Sequence, residues 1–75
     1  MKKTEYFLGQ TIYNQPNPQN AIDEAVKKRN LFLENNANKI EEIEEERIQL
    51  SSVHYSNSGT IYHYIVISLT YYPKA

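Results

Sequence analysis

Cysteine and tryptophan are both absent from this chain of 75 residues. Without cysteine there is no disulfide framework, no thiolate metal site and no thiol nucleophile. Glycine is scarce, with two residues, so the usual glycine-rich phosphate cradle cannot be built. No apolar run approaches the roughly 20 residues that a membrane-spanning helix needs. Met1-Lys2-Lys3-Thr4-Glu5-Tyr6 is followed by no apolar stretch, so no signal peptide is expected and the expected location is cytoplasmic. An excess of one charge is missing too: eight Lys and Arg stand against nine Asp and Glu, a formal net charge of −1. Such a balance lacks the broad basic footprint of a nucleic-acid binder, and neither nucleic acid nor a membrane is expected as a partner. No Ser-x-x-Lys, Gly-x-Ser-x-Gly or His-Glu-x-x-His pattern occurs, so no catalytic residue is assigned and a non-enzyme is expected.

What the chain does have is hydrophobic patterning in three blocks. Residues 4–13 alternate, with Tyr6, Leu8 and Ile12 on one face and Phe7, Thr11 and Tyr13 on the other, which predicts a strand. Gly9 within it suggests a bulge or a close backbone approach. A connector covers residues 14–17, where Pro16 and the following Pro18 disfavour strand and helix, and Asn17-Pro18 reads as an N-cap followed by proline at the first helical position. Asp23 and Glu24 follow early enough to offset the positive end of the helix dipole.

The second block covers residues 18–46. Ile22, Ala25, Val26, Phe32, Leu33, Ala37, Ile40 and Ile43 recur at helical spacing, and Lys27, Lys28, Glu34, Glu41, Glu42 and Glu45 occupy the other side. The pattern predicts one amphipathic helix; Asn35, Asn36 and Asn38 are poor helix formers and leave open a break near 35–39. The third block, residues 47–72, reads as a hairpin. Ile48, Leu50, Val53 and Tyr55 precede the turn Ser56-Asn57-Ser58-Gly59, for which a three-residue loop with Gly59 in the left-handed conformation is preferred. Ile48 and Leu50 differ in parity from Val53 and Tyr55, so a bulge near Ser51-Ser52 is expected. In the last strand Ile61, Ile65, Ile67, Leu69 and Tyr71 share one face, and Tyr62, Tyr64, Val66 and Tyr72 the other. Being the longest and apolar on both faces, this strand belongs in the centre. The expected fold is a single α+β domain, β-α-β-β, with a three-stranded antiparallel sheet of order 1-3-2 and one amphipathic helix on one face.

Two surfaces stand out as candidate sites. Tyr62, Tyr64, Val66 and Tyr72 form a face that nothing in the chain is expected to cover, which points to a partner, a ligand or another copy. Lys27, Lys28 and Arg29, with Tyr55, could hold an anionic ligand, although Lys27 and Lys28 also match Asp23 and Glu24 at helix-pair spacing. Two features carry less. His54 and His63 would face each other only across a two-residue loop, and no third ligand is evident, so no metal site is assigned. The acidic residues Glu41, Glu42, Glu44, Glu45 and Glu46 read as a solvated helix end.

The hairpin, from Ile48 through Ser56 and from Thr60 through Tyr72, carries an Ile61-Tyr62-His63-Tyr64 pattern, an apolar run and a closing tyrosine pair. In this it resembles a family of very short sporulation-associated proteins of spore-forming Gram-positive bacteria, over about the last third of the chain. The resemblance implies the same strand-helix-strand-strand order and no catalytic residues. Such genes also occur in bacteriophages, so a cellular and a phage origin both stay open. The order is also similar to that of dodecins, hollow dodecameric flavin-storage proteins, which implies the fold and oligomerisation. Dodecins stack a tryptophan on the flavin, which this chain lacks, and carry a glutamine where Tyr64 or Ile65 would stand. The resemblance therefore argues against flavin binding in the same manner.

Size adds a constraint. A chain this short buries only about 60% of the surface its unfolded form exposes, and small domains usually need a staple. With disulfides excluded and no metal site assigned, oligomerisation remains, and seven tyrosines suit an interface. The expected function is that of a small self-associating protein that acts by binding and needs no cofactor. One alternative is an oligomeric binder or sponge for a nucleotide or flavin. Another is a phage or mobile-element inhibitor of a host protein.

Overall fold

The chain folds, in a computed structural model, as β1 (Lys3–Gln10), α1 (Pro18–Asn36), a 3-10 turn (Ala37–Lys39), β2 (Ile40–Tyr55) and β3 (Thr60–Pro73). The structure describes residues 1–11, 17–55 and 60–75, the side chains of 53–55, 60 and 61 excepted. The sheet is antiparallel with order β1-β3-β2, and α1 packs against β1 and β3, as the periodicities predict. β1 lies along β3 from Lys3 opposite Tyr71 to Gln10 opposite Tyr64. Beyond it Thr11 continues the contact: its N–H donates to the His63 carbonyl at 3.1 Å, and its Oγ1 accepts from the His63 N–H at 3.2 Å. The proposed extension of this strand through Ile12 and Tyr13 lies outside the described residues.

α1 starts as expected. Asn17 is the N-cap, its side-chain oxygen accepting from the Gln19 N–H at 3.0 Å, and Pro18 takes the first helical position. The first turn itself holds no acidic residue. Asp23 lies further along, where its carboxylate accepts from Gln19 Nε2 at 2.7 Å.

The helix ends at Asn36, so residues 40–46 are strand and not the helix that their spacing predicts. The Asn36 side chain folds back on the last turn and donates to the Phe32 carbonyl at 2.8 Å. After the 3-10 turn, the Lys74 N–H donates to the Lys39 carbonyl at 2.8 Å and docks the start of β2 on the end of β3. Glutamate favours helix over strand by only a few tenths of a kcal/mol per residue, less than a paired ladder supplies. β2, at 16 residues, is consequently longer than β3 at 14.

The β2–β3 register corrects two further expectations. Tyr55 pairs with Thr60, so four positions, 56–59, separate the strands instead of three; these turn residues themselves lie outside the described set. Register runs unbroken from Glu45 opposite Thr70 to Tyr55 opposite Thr60, with no bulge at Ser51-Ser52; the shifts fall between Ile40 and Glu42 and between Ile43 and Glu45. The reason is side-chain parity. The observed register sets Ile48 and Leu50 beside Ile67 and Ile65 on the helix side. A slip by one residue would put Arg47 and Gln49 there instead.

The core lies between α1 and the inner faces of β1 and β3: Phe7, Ala21, Ala25, Ile65, Ile67 and Leu69 are buried, with Ile22, Val26, Phe32 and Leu33 packed around them. Phe32 sits between Phe7 and Tyr71, ring centroids 5.5 and 5.7 Å away. Gly9 provides the close approach anticipated for it. A Cβ at this position would stand 1.9 Å from the Ala21 carbonyl oxygen and 2.9 Å from the Ala25 nitrogen, so the helix backbone rests directly on the strand. The molecule is elongated, 51 × 19 × 12 Å, with a radius of gyration of 14.9 Å; a compact domain of this length would have about 11 Å.

Gly9→Ala is expected to lower stability by about 3 kcal/mol, because the obstruction is backbone and cannot rotate aside. Urea denaturation followed by circular dichroism measures it, and a midpoint equal to that of the parent chain would contradict the close-contact reading.

Candidate binding surfaces

The sheet's two faces differ in what lies over them. On the face away from α1, β3 contributes Tyr62, Tyr64, Val66, Ser68, Thr70 and Tyr72, and no described element of the chain covers it. The β1 register adds Tyr6 opposite Ser68 and Leu8 opposite Val66, which are 69% and 46% exposed. The sequence-assigned set is therefore incomplete. Tyr62, Tyr64 and Val66 join Leu8 and Tyr6 in one patch, whose two β1 members could have been found by combining strand parity with the 1-3-2 order. Tyr72 stands apart at the far end. There its hydroxyl donates to Glu44 Oε1 at 3.2 Å, Lys2 Nζ donates to Glu44 Oε2 at 3.1 Å, and Thr4 and Thr70 share a hydroxyl hydrogen bond of 3.0 Å. This open face is thus apolar and aromatic at one end and closed by polar pairs at the other.

On the helix side the inner face is only partly covered. Strands lie about 4.8 Å apart and a helix is about 10 Å wide, so one helix spans two strands of three. α1 lies over β1 and β3. The inner residues of β2 stay exposed: Ile43 at 47%, Ile48 at 64% and Leu50 at 55%. A polar contact crosses to this strand from the helix, where Arg29 Nη1 donates to Glu46 Oε2 at 3.1 Å and Oε1 at 3.4 Å.

The basic cluster is spread over different contacts. Lys28 pairs with Glu24 at 3.2 Å, the expected helix-spaced partner, and also donates to the Leu8 carbonyl on the β1 edge at 2.7 Å. Arg29 points the other way, toward β2, and Lys27 is exposed. The Tyr55 side chain lies outside the described residues. His54 is aligned with Ile61, and His63 with Ser52, whose Oγ lies 2.9 Å from His63 Nδ1; the two histidines are not opposite each other. Among the described residues no group of three His, Asp or Glu side chains is placed to hold a metal ion. Among the described residues no helix is long and apolar enough to cross a membrane. The acidic run is not a solvated helix end. It forms the first half of β2, where Glu44, Glu45 and Glu46 pair with Lys2, Arg47 and Arg29.

Comparison with known proteins gives no match among family models, curated proteins or solved structures.

Lys2 is held above the ordinary lysine value of 10.5, first by its hydrogen bond to Glu44 and then by the charges of Glu44 and Tyr72. A cation raised in the folded state contributes its stability below pH 10.5 and loses it as the pH climbs through the folded value. Lys2 is exposed, so salt screens the effect. Glu44→Gln is expected to return Lys2 to the ordinary range, followed by NMR titration of its ε-methylene signals. An unchanged midpoint would show that Glu44 is not the cause.

Proposed function

We propose that this chain is a small non-catalytic protein that acts by binding, and that its open sheet face is the interface with further copies of itself. The observation that carries this reading is the sheet face of Tyr6, Leu8, Tyr62, Tyr64 and Val66, which no described element of the chain overlies and on which Tyr6 and Leu8 are exposed and the other three half-buried. Monomeric proteins rarely leave such a face open, and tyrosine combines a large apolar area with a polar tip, as interfaces require. The thin core supports the same reading. Among the described residues seven apolar side chains are buried, in a molecule 51 Å long, and the chain has no disulfide to supplement them. Oligomerisation is the staple that small domains of this kind use. The dodecin-like element order, which belongs to an oligomeric architecture, points in the same direction.

A nucleotide or flavin would have to sit between copies, because no cavity is formed among the described residues of one chain and Lys28 and Arg29 are engaged with Glu24, Leu8 and Glu46. Native mass spectrometry with an absorbance spectrum of the same sample separates the readings. A defined oligomer without added mass is the expected result. Added mass or absorbance beyond the tyrosine band would instead favour the ligand sponge, and a clean monomer would turn the face into a docking surface for a foreign protein such as a host target.

Tyr64→Ala or Val66→Glu is expected to dissociate the assembly with the fold retained. Light scattering after size exclusion, paired with circular dichroism, checks this; the double variant eluting as the parent oligomer would rule the open face out as the interface.

A further inference from the structure

We infer that β2 is a second, separate self-association site, at which the edge strands of two copies pair antiparallel about a two-fold axis through Gln49. β2 is an edge of the sheet, and its two halves differ chemically. Residues 41–46 hold Glu41, Glu42, Glu44, Glu45 and Glu46 and both register shifts, the charges and bulges that protect an edge against pairing. Residues 48–55 contain no charged residue, no proline and no glycine, and they follow β3 without a shift. An unprotected edge of that composition is a template for another strand.

Charge and apolar exposure together select the arrangement. In a parallel, in-register pair the two glutamate runs would lie side by side, and like charges directly opposite are destabilising. Antiparallel pairing centred on Gln49 sets Glu46, Glu45 and Glu44 against positions 52, 53 and 54 of the second copy, where no carboxylate stands. The same register sets Ile48 against Leu50 of the second copy, and Leu50 against its Ile48. These are the exposed inner residues that α1 is too narrow to reach, at 64% and 55% exposure. Pairing therefore joins two sheets into one of six strands. It also brings the uncovered inner stripes together between two helices. The inference shares self-association with the proposed function but uses a different surface, so either can fail without the other.

The absence of cysteine makes the test direct. Gln49→Cys is compared with Lys27→Cys, on the exposed side of α1, by oxidising each full-length chain under native conditions. Residues directly opposite in an antiparallel pair have Cβ atoms about 4.5–5.5 Å apart, close enough for a disulfide to form with small backbone adjustment. Gln49→Cys is expected to give covalent dimer on the order of tenfold faster than Lys27→Cys, since pairing raises the local thiol concentration. It should do so equally in a Tyr64→Ala background, where the open-face contact is weakened. A Gln49→Cys rate no greater than that of Lys27→Cys overturns the inference. So does a fast rate that disappears with Tyr64→Ala, because the thiols would then have met through the open face. Should Gln49→Cys fail to fold, Arg47→Cys chains mixed with Ser51→Cys chains carry the same test, since the register sets these positions opposite each other. Mixed dimers are expected in excess over either self-dimer, and a statistical mixture overturns the pairing.

Discussion

The contact of Gly9 with the backbone of α1 fixes where everything else goes. Because Gly9 has no side chain and Ala21 and Ala25 have the smallest, helix and strand meet at backbone distance over β1. The helix is thereby held over the β1 side of the sheet, and its bulky residues, Phe32 above all, fill the space above β3. Arg29 reaches past them to β2, extended toward Glu46. A sheet of three strands under one helix always leaves part of its inner surface bare; here the small-residue contact decides that the bare part is β2.

The elongated shape follows from the same arrangement. β2 and β3 run past β1 at both ends, and there, at residues 60–62 and 72–73 of β3, the hairpin is a two-stranded ribbon. Two-stranded ribbons are marginal in isolation. The hairpin is held by cross-strand contacts along its length: the Glu44 bridge to Lys2 and Tyr72 at one end, and Ser52 with His63 toward the other. Such a molecule is ordered through its ladders more than through its core, and the proposed interfaces accordingly lie on surfaces away from the core.

The fold class, the strand order and the inward row of β3 were legible in the sequence because each rests on a local periodicity strong enough to stand alone. The open-face row was legible for the same reason. Residues 40–46 were not: glutamate with isoleucine at that spacing satisfies a helix period, and only pairing with distant β3 residues selects the strand. The hairpin register was misread because turn chemistry favours short loops, whereas the match of Ile48 and Leu50 to Ile67 and Ile65 outweighs it. The basic cluster illustrates the limit for sites. Lys27, Lys28 and Arg29 are neighbours in sequence, but consecutive helix positions point about 100° apart, so the fold sends Lys28 to one sheet edge and Arg29 toward the other.

The hydrogen bond from Lys28 to the Leu8 carbonyl has a consequence for how far strand addition can proceed. It places an ammonium group on the outer rim of β1, and an arriving strand would have to strip that charge of water and take its acceptor. The opposite rim carries its charged residues, the glutamates and Arg47, only along the first half of β2. The sheet is thus open to extension on one side and guarded on the other. A unit with one permissive rim stops growing when two such rims have met, and a unit with two does not stop. That asymmetry is the difference between a countable particle and a fibre, and under the pairing inferred for β2 it would turn on the position of a single lysine.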